Sequence, residues 1–174
     1  MIKKGVYKWH AVYVKSRAEK RALEDLRYKG IEAYLPLRIQ KKKWSDRIKV
    51  VEEPLLKGYL FVRVSQAEYA DVLRTSGVVA YVTFGGVAAE IPEKQLEDLR
   101  LFLDKVNASV CVTSEAVTKG QKVKVVGGVL QGVEGEIAEV RGKKRIVLRF
   151  ESLGCVVFAD VAIDLIEKVE PIEP

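Results

Sequence analysis

Histidine and cysteine are nearly missing from this 174-residue chain, which has one His and two Cys. Cys111 and Cys155 have no His or Cys partner at metal-ligand spacing, so they read as reduced thiols, and neither a disulfide framework nor a zinc site is expected. His10 lies in a strand-like run with no Ser or Cys nucleophile near it in sequence, and no glycine-rich phosphate loop opens a helix. Catalysis is not expected, and neither is a cofactor or a bound metal. Long apolar runs are also lacking, and Met1-Ile2-Lys3-Lys4 leads directly into strand-like residues instead of a signal-peptide core. The expectation is a cytoplasmic protein with no membrane contact.

Apolar residues make up 48% of the chain and charged residues 31%, a profile that excludes wholesale disorder. The net charge of +6 is unevenly spread: Met1 to Val106 carries +7, whereas Asn107 to Pro174 carries −1. The first half is thus the candidate for a polyanionic partner.

The stretch Glu53-Pro54-Leu55-Leu56-Lys57-Gly58-Tyr59-Leu60-Phe61-Val62 reads as a turn entering a central strand. Alternation puts Gly58, Leu60, Val62 and Val64 on one face and Tyr59, Phe61 and Arg63 on the other. The aliphatic face suits helices packed on a sheet. The aromatic face suits either further core or a docking surface.

Upstream, Trp9 to Val14 is a strand, and the Ser16/Glu19 spacing predicts a capping box opening a helix whose stripe is Ala18, Ala22, Leu23 and Leu26, ending at Gly30. Ile31 to Ile39 reads as a strand interrupted at Pro36, and Gln40 to Lys49 as a basic hairpin tip. Downstream, Ser65 and Glu68 predict a second capping box, and Tyr69, Val72 and Leu73 a second helix ending at Gly77. Val78 to Phe84 is a further strand, Gly85-Gly86 a turn, and Pro92 begins a third helix with Leu96, Leu99, Phe102, Leu103 and Val106 on one stripe.

This order predicts an α+β domain over residues 1–106, a ferredoxin-like βαββαβ sheet with an added C-terminal helix. The same fold hosts acylphosphatases and small-molecule regulatory domains, so it does not fix a function. Residues 107–117 read as a linker. From residue 118 to 174, short β-branched runs between glycines predict a small barrel of about five strands, with no helical alternative, because glycines spread through a helix each cost about 1 kcal/mol.

Taken together, these residues resemble the NusG family of transcription elongation factors. The marks are Trp9 and Tyr13 before the first helix, Pro36, Pro54 to Val62, Gly77-Val78-Val79 and Ile91-Pro92, followed by Gly120-Gln121-Lys122-Val123-Lys124-Val125 with Gly128, Gly132, Gly135 and Ile137, which looks like a KOW motif. The resemblance implies a NusG-type N-terminal domain and an SH3-like KOW barrel. Val126-Gly127-Gly128-Val129-Leu130 stands where housekeeping members carry Gly-Pro-Phe, while Trp44-Ser45-Asp46-Arg47 and Gly142-Lys143-Lys144-Arg145 resemble the UpxY-like specialised antiterminators of capsular polysaccharide operons. In housekeeping members the KOW partners include the termination factor Rho and a small-subunit ribosomal protein. Here the departure leaves a ribosomal protein or another factor as the KOW partner.

The family docks an apolar patch on the clamp helices of the largest RNA polymerase subunit. Tyr59 and Phe61 match those positions, Tyr13 joins them if the strands are neighbours, and Phe84, Leu96 and Leu99 are expected at the rim. Packing of the third helix on the sheet explains the two leucines equally well. Lys15, Arg17 and Arg21 stand where family members reach non-template DNA, near a helix N-terminus that attracts anions. Lys41, Lys42, Lys43, Trp44 and Arg47 offer cations and a stacking surface for nucleic acid; a solvated turn is the plainer reading. The whole implies a monomeric, non-enzymatic elongation and antitermination factor. A KOW-containing RNA- or ribosome-binding protein is the alternative.

Overall fold

The computed structural model describes residues 5–169, so Met1–Lys4 and residues 170–174, the outer ends of the two expected domains, lie outside the described residues. The fold is α+β. Its contacts divide the chain into two compact units, one formed by Met1–Leu37 with Pro54–Glu93 and the other by Arg38–Glu53 with Lys94–Pro174.

The first unit is built on β1 (Lys8–Val14), α1 (Glu19–Tyr28) and β2 (Glu32–Tyr34). The chain then passes through β3 (Leu37–Trp44) and β4 (Arg47–Pro54) and returns as β5 (Tyr59–Val64), followed by α2 (Tyr69–Leu73) and β6 (Val78–Tyr81). The sheet order is β2-β5-β1-β6, with every pairing antiparallel. This is the strand order of a split βαβ arrangement, since β5 lies between β1 and β2. Val12 and Val14 of β1, Leu60, Val62 and Val64 of β5, and Ala33 of β2 pack with Ala22 and Leu26 of α1 and Val72 of α2 in one core. The predicted aliphatic face of β5 is therefore its helix-covered face.

Helix α1 ends as expected. Gly30 adopts φ +78°, its amide bonds Arg27 O, and the Ile31 amide bonds Leu26 O. Its start differs from expectation: the helix begins at Glu19, two residues after Arg17 takes a left-handed φ of 65°, and no side chain caps it. The Ser16/Glu19 capping box does not form because Glu19 is buried and its carboxylate is engaged elsewhere. At the second predicted box, Glu68 Oε2 accepts from the Ser65 amide at 3.4 Å, opening a short 3-10 turn ahead of α2. After β6 come the small hairpin β7 (Thr83–Phe84) and β8 (Val87–Ala88) and the strand β9 (Glu90–Ile91), which pairs with β1.

The second unit contains the β3–β4 hairpin, α3 (Glu93–Lys105, joining from Lys94), β10 (Cys111–Thr113), β11 (Gln121–Val125), β12 (Glu134–Val140), β13 (Lys143–Phe150), β14 (Cys155–Ala159) and β15 (Ile166–Lys168). Strands β10 to β15 form one antiparallel sheet in the order β10-β14-β13-β12-β11-β15. Ala138, Val140, Val147, Val156 and Phe158 are its core cluster. The sixth strand comes from the stretch read as linker: Cys111 to Thr113 pairs with Val156 to Phe158. Three residues are too few to display a period of two, which is why sequence pattern missed it. Two glycines of the KOW-like motif are there for close approach, since a Cβ at Gly120 would stand 1.8 Å from Ile137 O and one at Gly135 2.6 Å from Val147 O.

His10, on β1, is 4% exposed. Its Nδ1 stands 3.0 Å from Ala89 O, and its Nε2 3.1 Å from the Tyr69 hydroxyl. A carbonyl only accepts, so Nδ1 carries the proton, and Nε2 accepts from Tyr69 in the neutral ring. Burial holds the His10 pKa below its usual value, outweighing the Ala89 carbonyl and Glu90. The unfolded chain therefore binds this proton more readily. Stability should be unaffected by His10 above about pH 6.5 and fall as pH drops below it, by at most about 1.4 kcal/mol per pH unit. Urea unfolding of wild type and His10→Gln between pH 8 and 5 checks this, with the expected acid-side slope present in the difference and absent above neutrality.

Candidate functional site

Strands β1 and β5 bring two tyrosines together. Tyr13 is the register partner of Tyr59, and their ring centroids are 5.3 Å apart. Tyr13 is 41% exposed and Tyr59 half-buried, so this end of the aromatic face presents surface. Phe61 does not. It is fully buried on the middle strand pairs, with Ala11 and Tyr34 as its register partners on either side and the Tyr34 ring stacked at 6.4 Å. Leu96 and Leu99 are also buried, on the stripe of α3 that includes Phe102. None of Phe61, Leu96 and Leu99 presents its side chain on a surface, and their burial fits the packing alternative weighed for the two leucines. Phe84 is 62% exposed, but on the separate β7–β8 hairpin, opposite Val87.

The tyrosine pair stands at a corner where three turns meet. The Val14 amide donates to Gly58 O at 2.9 Å, and the Lys15 amide donates to Gly77 O at 2.8 Å. Gly58 N donates to Glu19 Oε1 at 3.1 Å. Gly58 and Gly77 adopt φ of +82° and +89°, conformations costly for any other residue, and a Cβ on Gly77 would press on Ala18 at 3.1 Å. Lys15 and Arg17 project from the β1–α1 turn and Arg21 from the first turn of α1, all exposed. Because Lys15 and Arg17 precede the helix, they belong to the turn rather than to a helix N-terminus. Lys57, exposed in the turn beside Gly58, belongs to the same corner. Sequence reading overlooked it as a candidate although it lies two residues from Tyr59.

Lys41, Lys42, Lys43, Trp44 and Arg47 all fall on the β3–β4 hairpin and are exposed. Only Ser45 and Asp46 form its turn, so the expected tip is a two-stranded arm with eight residues in each strand. The cations of the second unit's sheet are differently placed, facing acids: Lys122 opposes Glu136 and Lys124 opposes Glu134. Arg149 makes a bidentate pair with Glu136 at 2.9 and 3.0 Å. Among the described residues no cluster of His, Cys, Asp or Glu could hold a metal ion. No helix among them is long and apolar enough to cross a membrane.

The family model described as transcription termination factor nusG matches residues 7–100, over half the chain. The chain belongs to the NusG family. Its members are transcription factors, not enzymes, and include termination and antitermination proteins. The transcription termination/antitermination protein NusG of Lactococcus lactis is 24% identical over 157 residues, covering 87% of this chain and 83% of its own. Among solved structures, a chain from work on domain interaction in Thermotoga maritima NusG is 20% identical, with a TM-score of 0.47 and coverage of 95% and 98%. A chain of the MjSpt4:Spt5 complex is 15% identical, with a TM-score of 0.32 and coverage of 92% and 97%.

Glu19 is a positioning residue for this corner, so removing its carboxylate should strand the Gly58 amide. Glu19→Ala is expected to shift the amide resonances of Gly58 and Tyr59 and to destabilise the protein by about 1–3 kcal/mol. Glu19→Gln, which keeps an acceptor oxygen, should restore most of both. Equal behaviour of the two variants would remove the hydrogen bond from its proposed role.

Proposed function

We propose that this chain is a monomeric, cytoplasmic elongation and antitermination factor that docks on the clamp helices of the RNA polymerase largest subunit and suppresses pausing or termination at particular operons. The observation that carries the reading is the Tyr13–Tyr59 pair, one ring exposed and the other half-buried, beside a cationic corner. Aromatic side chains with large area and few rotamers are the usual anchors of protein interfaces. Tyr13 and Tyr59 serve as anchors and Phe84 as a secondary contact. Phe61, buried two residues along the same strand from Tyr59, supports them from the core. Lys15, Arg17, Arg21 and Lys57 face the phosphates of displaced non-template DNA, a contact that weakens with salt.

Specialisation rests on Trp44-Ser45-Asp46-Arg47 and Gly142-Lys143-Lys144-Arg145, which favour service to operons such as capsular polysaccharide loci. The domain division that fits this activity is residues 1–106 for polymerase, 107–110 as connection and the sheet that opens with β10 for a ribosomal protein or another factor. The action is binding alone, with no chemical step.

Tyr13→Ala combined with Tyr59→Ala should leave the fold intact and reduce affinity for core polymerase more than a hundredfold, at ~2 kcal/mol or more for each anchor. Pull-down of core polymerase, with circular dichroism as the folding control, measures this. Unchanged binding would move the docking site elsewhere. Co-purification of the wild type with ribosomal RNA instead of polymerase would favour the RNA-binding alternative.

A further inference from the structure

The β3–β4 arm forms a two-stranded sheet of its own, with no further strand on either edge among the described residues. Its two faces differ. Lys49 Nζ lies 5.5 Å from the centre of the Trp44 ring, which places Lys49 and, by alternation, Arg47 on the face that carries Trp44 and Lys42. The opposite face carries Lys41 and Lys43 with exposed Ile48 and Val50.

Trp44 is 54% exposed next to the hairpin turn, an uncommon place for the largest apolar side chain. Lys42 is engaged by Glu53, whereas Lys41, Lys43 and Arg47 make no ion pair among the described residues. An indole plane with cations ahead of and behind it matches the two parts of an unpaired nucleotide, a flat base and an anionic linkage. A solvated charge run needs no indole, and a duplex offers no unstacked base to meet one.

We propose that the β3–β4 arm binds an unpaired nucleic-acid strand, with a base stacked on Trp44 and the flanking phosphates held by Arg47 and Lys49 on the same face. A cation already over one side of the indole strengthens the site, because the same Lys49 charge that restrains the ring attracts the adjoining phosphate. Lys42, neutralised by Glu53, contributes least.

The 174-residue chain contains two tryptophans, and Trp9 is 4% exposed, so fluorescence quenching by a bound base reports on Trp44. Single-stranded DNA and RNA of about 16 nucleotides, and a duplex of the same sequence, are titrated without polymerase. Saturable quenching by single strands is expected in the wild type, and anisotropy of dye-labelled oligonucleotides, which does not need the indole, should show weaker binding of the duplex and roughly tenfold loss of single-strand affinity in Trp44→Ala. Arg47→Gln should lower the slope of log affinity against log salt by about one, and Lys42→Gln by less. Preference for RNA or for DNA identifies the source of the strand, and either supports the site. Wild-type affinity in Trp44→Ala, or equal duplex binding that ignores this substitution, overturns it. Loss of binding to nucleic-acid-free core polymerase in Trp44→Ala, with oligonucleotide binding unchanged, would make the arm a protein contact instead. Because no polymerase is present in the titration, its failure leaves the tyrosine docking site to be judged separately.

Discussion

Gly58 is held from two sides: its carbonyl oxygen accepts from the Val14 amide at 2.9 Å, and its own amide donates to the Glu19 carboxylate at 3.1 Å. The left-handed backbone at Gly58 turns the chain into β5, so these bonds determine where Tyr59 begins the strand. They also tie the end of β1 to the start of α1. One turn thus sets the relative positions of Tyr13, Tyr59, Lys15 and Lys57, and the geometry of the candidate site depends on a buried carboxylate with no chemistry of its own.

Strand β5 shows how one alternating pattern serves two purposes. Leu60, Val62 and Val64 face the helices and supply core, each buried aliphatic contributing about 1.5–3 kcal/mol relative to exposure. On the other face, position along the strand decides the outcome. Phe61 lies between paired residues of β1 and β2 and is sealed, whereas Tyr59 lies at the strand end beside a turn and keeps a wet edge. A phenol suits that place, with an apolar ring and a polar tip. The exposed part of this aromatic face is accordingly narrower than the run of aromatics in the sequence.

Charge is organised just as unevenly. In the second unit's sheet, Arg149 is paired with Glu136 and Arg145 with Asp160, which uses their charge locally. The corner and the arm instead expose cations on turns and on a free ribbon. Only the latter arrangement leaves charge to act on a distant polyanion, since compensated pairs project little field beyond a Debye length of about 8–10 Å.

Element types, the helix stop at Gly30, the two faces of β5 and the Tyr13–Tyr59 neighbourhood followed from the sequence, because each depends on local periodicity or on a single backbone conformation. Family membership was legible in the same way, through glycines and prolines whose spacing reflects turns the chain must make. The use of Glu19 was not legible. At Ser16/Glu19 the residue types and spacing of a capping box are present, and only the arrival of Gly58 from 39 residues away diverts the carboxylate. The burial of Phe61, the recruitment of Cys111–Thr113 as a sixth strand and the neutralisation of Lys42 by Glu53 were decided by tertiary structure as well. The physical reason is common to them: periodicity specifies which way a side chain points, but whether it meets solvent, another backbone or an opposite charge depends on segments that only folding brings alongside.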